Sequence, residues 1–303
     1  MSTLSGVFPV LPTPFGADGA VDPVALGGLV AFAVEAGADG VVYPGMASEV
    51  ETLSPEERGA MVAALGRALD GRLPFIVGAS HADPAVAAAR AEEGRAVGAR
   101  AAMIMAPAGN GGDVDRHVAF YAAVAAGTAL PIMLQNAPAP MGAGLSPDKV
   151  AAIVRAVPAI RSVKEETLPC GQHVTALSAA VGDRLDGVFG GAGARYVMDE
   201  LARGAAGTMP AAELTDVHVA LVRAFRAGRT EEARRLYSRT LPLLLFQAVF
   251  RVRMTKIVLA ARGLLSSTSA RAAGPVPDAG DEAELGALIR EAADLFRIHP
   301  VRN

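Results

Sequence analysis

A lysine stands at the end of a short apolar run in the segment IRSVKEETLP, residues 160–169. The chain has 28 basic residues, of which only three, Lys149, Lys164 and Lys256, are lysines. Unlike arginine, a lysine can lose its proton, and apolar surroundings favour the neutral form. A neutral amine attacks carbonyl carbons and forms a Schiff base. Lys164 is therefore the first candidate for catalysis, and the alternative is a surface lysine in a strand-to-helix loop.

Repeating elements must position this lysine. Eight short apolar runs occur in the first 210 residues, and such runs are typical of strands buried on both faces of a parallel sheet. Ala-rich helical stretches separate them. The helix predicted over 53–69 begins with Ser54 as N-cap, Pro55 at its first position and Glu57 closing a capping box. The predicted strands are 7–15, 40–45, 74–80, 101–107, 131–138, 159–166, 185–191 and 204–210.

This alternation predicts an α/β fold of the (β/α)8 TIM-barrel type. An open doubly wound sheet is disfavoured, because no glycine-rich phosphate-binding loop follows an early strand. After about residue 225 the strands stop, and helical stretches follow at 230–250, 251–265 and 281–297. We therefore predict a barrel that carries the active site over residues 1–225 and a C-terminal helical extension over residues 226–303.

Composition and charge exclude several classes of function. The net charge is −3 and no long basic run occurs, which argues against a nucleic-acid partner. A single cysteine, Cys170, excludes an internal disulfide framework and a cysteine-based zinc site. The N-terminal residues lack the pattern of a signal peptide, and no apolar stretch reaches the length of a membrane span. We expect a cytoplasmic protein with no membrane partner.

A barrel places its active-site groups at the C-terminal ends of its strands. Lys164 is one of these groups, and carboxyl and amide side chains occupy several of the other ends. Glycines there would let the backbone approach a ligand, although ordinary turn glycines look the same. The candidates are Gly45, Ala47, Ser48 and Glu49 after strand 2, Gln135 and Asn136 in strand 5, Lys164 and Glu166 in strand 6, and Gly190 and Gly191 in strand 7.

Several of these segments resemble the dihydrodipicolinate synthase / N-acetylneuraminate lyase family of class I aldolases and dehydratases. GVFPVLPTPF resembles the first strand of that family, PIMLQNAP its P-I-x-x-Y-N-x-P strand, and SVKEET its lysine strand. Gly45–Glu49 occupies the place of the family's G-[ST]-T-G-E loop. The resemblance implies a Schiff base between Lys164 and a 2-keto acid, no metal or organic cofactor, and a homotetramer built as a dimer of dimers.

The chain also departs from the family pattern. The tyrosine that usually shuttles a proton is replaced, and so is the arginine that binds the second carboxylate of the synthase substrate. Both losses argue against dihydrodipicolinate synthase activity. The departures are Gln135 at the catalytic tyrosine, Ala108 and Gly109 at the relay tyrosine, Pro140 at the arginine, and Met46, Ala47 and Ser48 in the loop.

The segments MASEVETL, MLQNAP and KEET are similar to a branch of 2-keto-3-deoxy-sugar-acid dehydratases, such as 2-keto-3-deoxy-L-arabinonate dehydratase. The resulting hypothesis is that Lys164 forms an iminium at C2, which acidifies C3–H and allows the 4-hydroxyl to leave as water. Ser48 and nearby backbone N–H groups would hold the substrate carboxylate, while Gln135 and Asn136 would orient hydroxyls. Two alternatives are a pyruvate-dependent (retro-)aldolase and a degenerate barrel that binds a keto acid without turnover.

The amide of Gln135 is neither a strong acid nor a strong base, so another group must move the proton. Glu49, Glu166 and Tyr43 are the candidates in this sequence. Glu166 has an equally simple interpretation as a salt-bridge partner, and Tyr43 as a packed strand residue. The sequence leaves open which group serves Lys164.

Overall fold

The computed structural model describes residues 3–298. Eight strands alternate with helices along the chain and belong to one eight-stranded sheet. This order is that of a (β/α)8 barrel, so the predicted fold class is confirmed. The strands β1 to β8 are Gly6–Val7, Val41–Tyr43, Phe75–Gly78, Ala101–Met105, Ile132–Asn136, Ile160–Glu165, Gly187–Gly190 and Gly207–Thr208.

The helices begin where the sequence places start signals. Ser54 accepts a hydrogen bond from the N–H of Glu57, whose carboxylate accepts one from the N–H of Ser54, and Pro55 follows the cap. The helices α1 to α11 are Pro23–Glu35, Pro55–Leu69, Pro84–Ala96, Val114–Ala126, Pro147–Ala156, Cys170–Val181, Val197–Ala202, Thr215–Arg226, Thr230–Phe250, Val252–Ala261 and Ala279–Ala292.

The described chain forms two compact units. The predicted helices after residue 225 are present as α9, α10 and α11. The domain boundary predicted at residue 225 is not a boundary between the units, and it stays a prediction. The first unit comprises residues 3–6, Pro74–Ala192 and Tyr196–Met209, and the second comprises Val7–Leu73, Gly193–Arg195 and residues 210–298.

In the first unit, strands β3 to β8 pair in parallel and in chain order. Residue Lys164 of β6 lies in register with Gln135 of β5 and Phe189 of β7. Partners in register direct their side chains to the same face of a sheet, and successive residues alternate between faces. The pairing therefore places Lys164 and Gln135 side by side near the C-terminal ends of their strands.

In the second unit, the N-terminal segment is less regular than the predicted strand 7–15. Beyond β1, Val10 forms isolated bridges with Val42 and Ala211 as parallel partners, and Phe15 forms an antiparallel bridge with Val21. Prolines at 9, 12 and 14 cannot donate to a strand ladder, which explains the short strand. None of the helices that the structure describes is long and apolar enough to span a bilayer.

Candidate active site

Lys164 ends in a close contact with Glu166. The lysine is buried, with 5% of its surface exposed, and its Nζ lies 3.1 Å from Oε1 of Glu166. Burial alone would raise the pKa of Glu166, but the charge of Lys164 and the hydrogen bonds from Gln135 and Ala192 lower it below its ordinary value. The pair is therefore a carboxylate held against a cation.

Gln135 and a backbone amide fix this carboxylate. Nε2 of Gln135 donates to Oε2 of Glu166 at 2.6 Å, and the N–H of Ala192 donates to Oε1 at 3.2 Å. Both oxygens of Glu166 are thus oriented, and Gln135 acts as a donor that can transfer no proton at neutral pH. We call Lys164, Glu166 and Gln135 the lysine cluster, which brings together all three predicted catalytic residues.

Glycine at 191 makes room for the cluster. A Cβ at Gly191 would lie 2.6 Å from both Cγ and Oε1 of Glu166, closer than carbon atoms approach one another in proteins. The carboxylate of Glu166 can occupy its place because residue 191 has no side chain. Whether Gly191 also contacts a substrate stays a prediction.

Glycine at 190 makes room for a different acid, Glu200 of α7. A Cβ at Gly190 would collide with the Glu200 carboxyl group. This carboxyl is fully buried, and no residue within 3–298 hydrogen bonds to either of its oxygens. Burial is the main cause that raises the pKa of Glu200 to about 8, and the negative charges of Glu166, Asp199 and Glu165 add to it. Glu200 is therefore a neutral acid at pH 7.

Sequence reasoning missed Glu200, because nothing in the local pattern of α7 marks it as buried. The one available signal was Gly190, a glycine at a strand end where we predicted that a ligand approaches the backbone. In the structure, the space at Gly190 is taken by the side chain of Glu200. A substrate contact at Gly190 stays a prediction.

Asn136 anchors the connection between β5 and α5. Its Oδ1 accepts from the N–H of Leu145 at 2.9 Å, while Nδ2 donates to the Leu145 carbonyl at 2.8 Å and to Oε2 of Glu165 at 2.9 Å. Both amide hydrogens of Asn136 are thus used within the protein. A role for Asn136 in orienting substrate hydroxyls stays a prediction.

In the second unit, the loop Gly45–Glu49 folds into a tight turn around Ser48. The N–H of Gly45 donates to Oγ of Ser48 at 2.9 Å, and that hydroxyl donates to the Leu11 carbonyl at 2.5 Å. The Ser48 side chain therefore stabilises its own loop by linking Gly45 to Leu11. Ala47 has no polar side chain, so any contact it makes with a substrate would go through its backbone.

Tyr43 is part of the same hydrogen-bonded set. Oγ1 of Thr13 donates to the Ser48 carbonyl at 2.6 Å and lies 3.0 Å from the Tyr43 hydroxyl. Because the hydrogen of Thr13 is already donated, Tyr43 is the donor in their bond. Burial raises the pKa of Tyr43 well above its ordinary value, a shift that the bond with Thr13 only partly opposes. Tyr43 is therefore poorly suited to accept a proton at neutral pH.

Glu49 is fully buried, and its carboxylate has partners on both oxygens. Nζ of Lys256 lies 2.6 Å from Oε1, and the N–H groups of Arg271 and Ala272 donate to Oε2 at 2.7 Å and 2.6 Å. These contacts give Glu49 a structural task. Its predicted substrate contact stays a prediction, and a proton-transfer role would have to disrupt this network.

Comparison with known proteins assigns the family. The profile of the dihydrodipicolinate synthetase family matches residues 3–290. The chain belongs to this family. A relative of this family member, the L-2-keto-3-deoxyarabonate dehydratase of Azospirillum brasilense, is 32% identical over 243 residues, which cover 79% of the chain and 78% of the relative.

Other relatives have a different activity in their names. The 4-hydroxy-tetrahydrodipicolinate synthase of Hyphomonas neptunium is 32% identical over 240 residues, covering 78% of the chain and 81% of that protein. The crystal structure of dihydrodipicolinate synthase from Rhodopseudomonas palustris matches with a TM-score of 0.87 and 26% identity, covering 95% of the chain and 97% of that structure. This family member is therefore an enzyme, a lyase with the (β/α)8 fold of its relatives.

Proposed function

We propose that this family member is a Schiff-base lyase that dehydrates a 2-keto-3-deoxy sugar acid. The observation that carries the proposal is the 3.1 Å contact between Nζ of Lys164 and Oε1 of Glu166. A lysine beside an oriented carboxylate supplies a nucleophile and a proton acceptor in one place. The identity to the Azospirillum brasilense dehydratase supports dehydration, and Gln135 and Pro140 at the tyrosine and arginine positions argue against the synthase reaction.

The first step joins Lys164 to the substrate. The ammonium group passes a proton to Glu166, and the neutral amine attacks C2 of the keto acid. The resulting carbinolamine loses its oxygen as water, with the proton returned by Glu166. The nitrogen of Lys164 then carries an iminium whose positive charge faces the Glu166 carboxylate, so the ion pair of the free enzyme is kept.

The second step removes water from the substrate. The Glu166 carboxylate takes the proton from C3, and the electron pair of that bond forms an enamine with the iminium. The enamine expels the 4-hydroxyl group, which leaves as water with the proton from Glu166. The lowered pKa of Glu166 favours this return, because such a carboxyl group readily gives its proton to the departing oxygen. Hydrolysis of the conjugated iminium releases the product and the amine.

The remaining predicted residues complete the proposal. We assign the substrate carboxylate to the Gly45–Glu49 loop, because loops that follow barrel strands form the active sites of this fold class. Gln135, Asn136, Gly190 and Gly191 are proposed to line the substrate chain. The protein is further proposed to be a homotetramer that acts on a small 2-keto acid without a metal or organic cofactor.

Borohydride trapping tests the Schiff base. The enzyme is incubated with pyruvate or with 2-keto-3-deoxy-L-arabinonate and reduced, and the modified peptide is identified by mass spectrometry. The adduct is expected on Lys164 and not on Lys149, whose Nζ donates to the Gly112 carbonyl at 2.8 Å near the surface. An absence of adduct at Lys164 would refute the proposal.

Product analysis then separates the two reactions that share the iminium. Dehydration yields an unsaturated or semialdehyde keto acid of unchanged carbon number, whereas retro-aldol cleavage yields pyruvate and an aldehyde. We expect the product of water loss. Release of stoichiometric pyruvate from 2-keto-3-deoxy-L-arabinonate would assign the enzyme to the aldolases instead, and an adduct without product would indicate a binding protein.

A further inference from the structure

A second buried lysine, Lys256 of α10, has contacts that the proposed reaction does not use. It has no exposed surface, and its Nζ donates to Oε1 of Glu49 and to the Ser269 carbonyl, both at 2.6 Å. The ring centre of Phe15 lies 4.3 Å from the same nitrogen. A buried charge is costly unless it is paired, so this ammonium group and the Glu49 carboxylate depend on each other.

The connection between α10 and α11 completes the surroundings of Glu49. Its Oε2 accepts the N–H groups of Arg271 and Ala272. The guanidinium of Arg271 in turn donates to both carboxylate oxygens of Glu57, at 2.7 Å and 2.8 Å. Every partner of the Glu49 carboxylate named here therefore comes from the C-terminal part of the second unit.

The backbone at Glu49 needs this support. Glu49 has φ 57 and ψ 36, the left-handed conformation that a residue with a side chain rarely adopts. Such a conformation is strained for a residue with a side chain and persists only where the surroundings enforce it. Glu49 is also the residue that ends the turn Met46–Ser48. The position of Glu49 therefore determines how the N–H groups of this turn are oriented.

We propose that Lys256 is a positioning residue that acts through Glu49: the ion pair holds the Gly45–Ser48 turn in the conformation that binds the substrate carboxylate. The part concerning the carboxylate rests on the proposed function. A compact ammonium group suits this place, because a single nitrogen serves both Glu49 and Ser269, whereas arginine would bring a planar head with five donors. This gives a reason for a second buried lysine in a chain that otherwise uses arginine.

The test replaces both members of the pair, so that no charge is left buried alone. The variant Lys256→Met with Glu49→Gln is compared with Arg262→Met with Asp216→Asn. The control removes another ion pair of the second unit, with N and O atoms 2.7 Å apart and both side chains 2% exposed. Both double variants are expected to lower the melting temperature.

The readout is the pyruvate concentration that gives half-maximal borohydride-trapped adduct on Lys164. In the Lys256/Glu49 variant it is expected to rise at least about tenfold with an unchanged maximum, since a displaced contact group costs affinity of that order. In the Arg262/Asp216 variant it is expected to stay within about twofold of the wild-type value. An unchanged half-saturation in the first variant, or an equal rise in both, would overturn the proposal.

Amide hydrogen exchange tests the positioning independently of the reaction. The N–H groups of Ser48, Glu49 and Thr52 donate to carbonyls within the loop. They are expected to exchange faster in the Lys256/Glu49 variant than in the control. Failure of wild-type enzyme to form an adduct would refute the proposed function alone, while equal exchange in the two variants would refute the positioning role.

Discussion

The charged groups of Lys164 and Glu166 meet because the two residues are separated by one position at the end of β6. Residues two apart in a strand share a face, while the residue between them, Glu165, faces the other way and binds Asn136 and Thr167. Burial raises the pKa of Glu165 despite these bonds, whereas Lys164 keeps that of Glu166 low. The two neighbouring carboxyl groups therefore have pKa values shifted in opposite directions.

Replacing Glu166 by Gln is expected to reduce turnover by about 10²–10⁴-fold, the range for loss of a general acid–base group. The adduct between pyruvate and Lys164 should still form but more slowly, because the nucleophile remains while the proton acceptor of the proposed first step is lost. Rapid-quench trapping and steady-state kinetics measure the two effects separately. Glu165→Gln is the matched control and should lower the melting temperature while keeping turnover within about tenfold. Equal losses of turnover in both variants would contradict the assignment of Glu166.

The variant Lys164→Arg keeps a positive charge beside Glu166 but cannot form an iminium. Its melting temperature is expected to stay close to that of the wild type, while turnover falls by at least about 10³-fold. Thermal unfolding and product assays provide the measurements. Lys149→Arg, which changes a lysine near the surface, should leave both unchanged. Substantial turnover by Lys164→Arg would rule out covalent catalysis at this position.

The variant Gly191→Ala is expected to displace the Glu166 carboxylate and to reduce kcat by about tenfold or more, because a methyl group would overlap Glu166. The adduct at Lys164 should remain. Gly59→Ala in helix α2 is the control, since a Cβ at Gly59 meets nothing within 4 Å and alanine favours a helix. If both glycine variants kept wild-type kcat, the orientation of Glu166 would not matter for turnover.

The Glu200 carboxyl predicts a specific pH dependence of stability. Its pKa is near 8 in the folded protein and near 4.5 when unfolded, so the native state binds the extra proton between these values. This contribution to the free energy of unfolding is full below about pH 4.5 and is lost as the pH rises toward 8, by at most about 1.4 kcal/mol per unit.

Urea unfolding of the wild type and Glu200→Gln at pH 5, 6, 7 and 8 measures this slope. The variant is expected to show a flatter profile and to be the more stable protein at pH 8. Glu284→Gln, at an exposed position of α11, should keep the wild-type slope. Parallel profiles for wild type and Glu200→Gln would mean that Glu200 ionises normally.

Local sequence was sufficient where local physics decides the structure. The Ser54 cap, Pro55 and Glu57 predicted the start of α2, and the spacing of apolar runs predicted the (β/α)8 fold. The position of Lys164 at a strand end followed from the same pattern. The two interpretations of Glu166 turned out to be compatible, because its salt-bridge partner is the candidate nucleophile itself.

The missing parts depend on contacts between distant residues. Glu49 and Lys256 are 207 positions apart, and no pattern around either one indicates the other. The partners of Asn136 and the burial of Glu200 likewise arise only once the chain is folded. For this reason the sequence offered Glu49 as a proton-transfer group, whereas the structure gives it a network of fixed hydrogen bonds.

Gly190 and Gly191 are adjacent in the chain, and the absence of a side chain at each leaves room for a different carboxyl group, that of Glu200 or that of Glu166. Glu200 is enclosed and has nowhere to move if residue 190 gains a side chain, whereas Glu166 retains some exposure and can turn away from residue 191. In a mutant library selected only for resistance to proteolysis, we therefore expect substitutions of Gly190 to be lost and small residues at position 191 to survive. Selection for growth on the proposed 2-keto-3-deoxy sugar acid should remove substitutions at both positions, so comparing the two selections separates the requirement of folding at residue 190 from that of catalysis at residue 191.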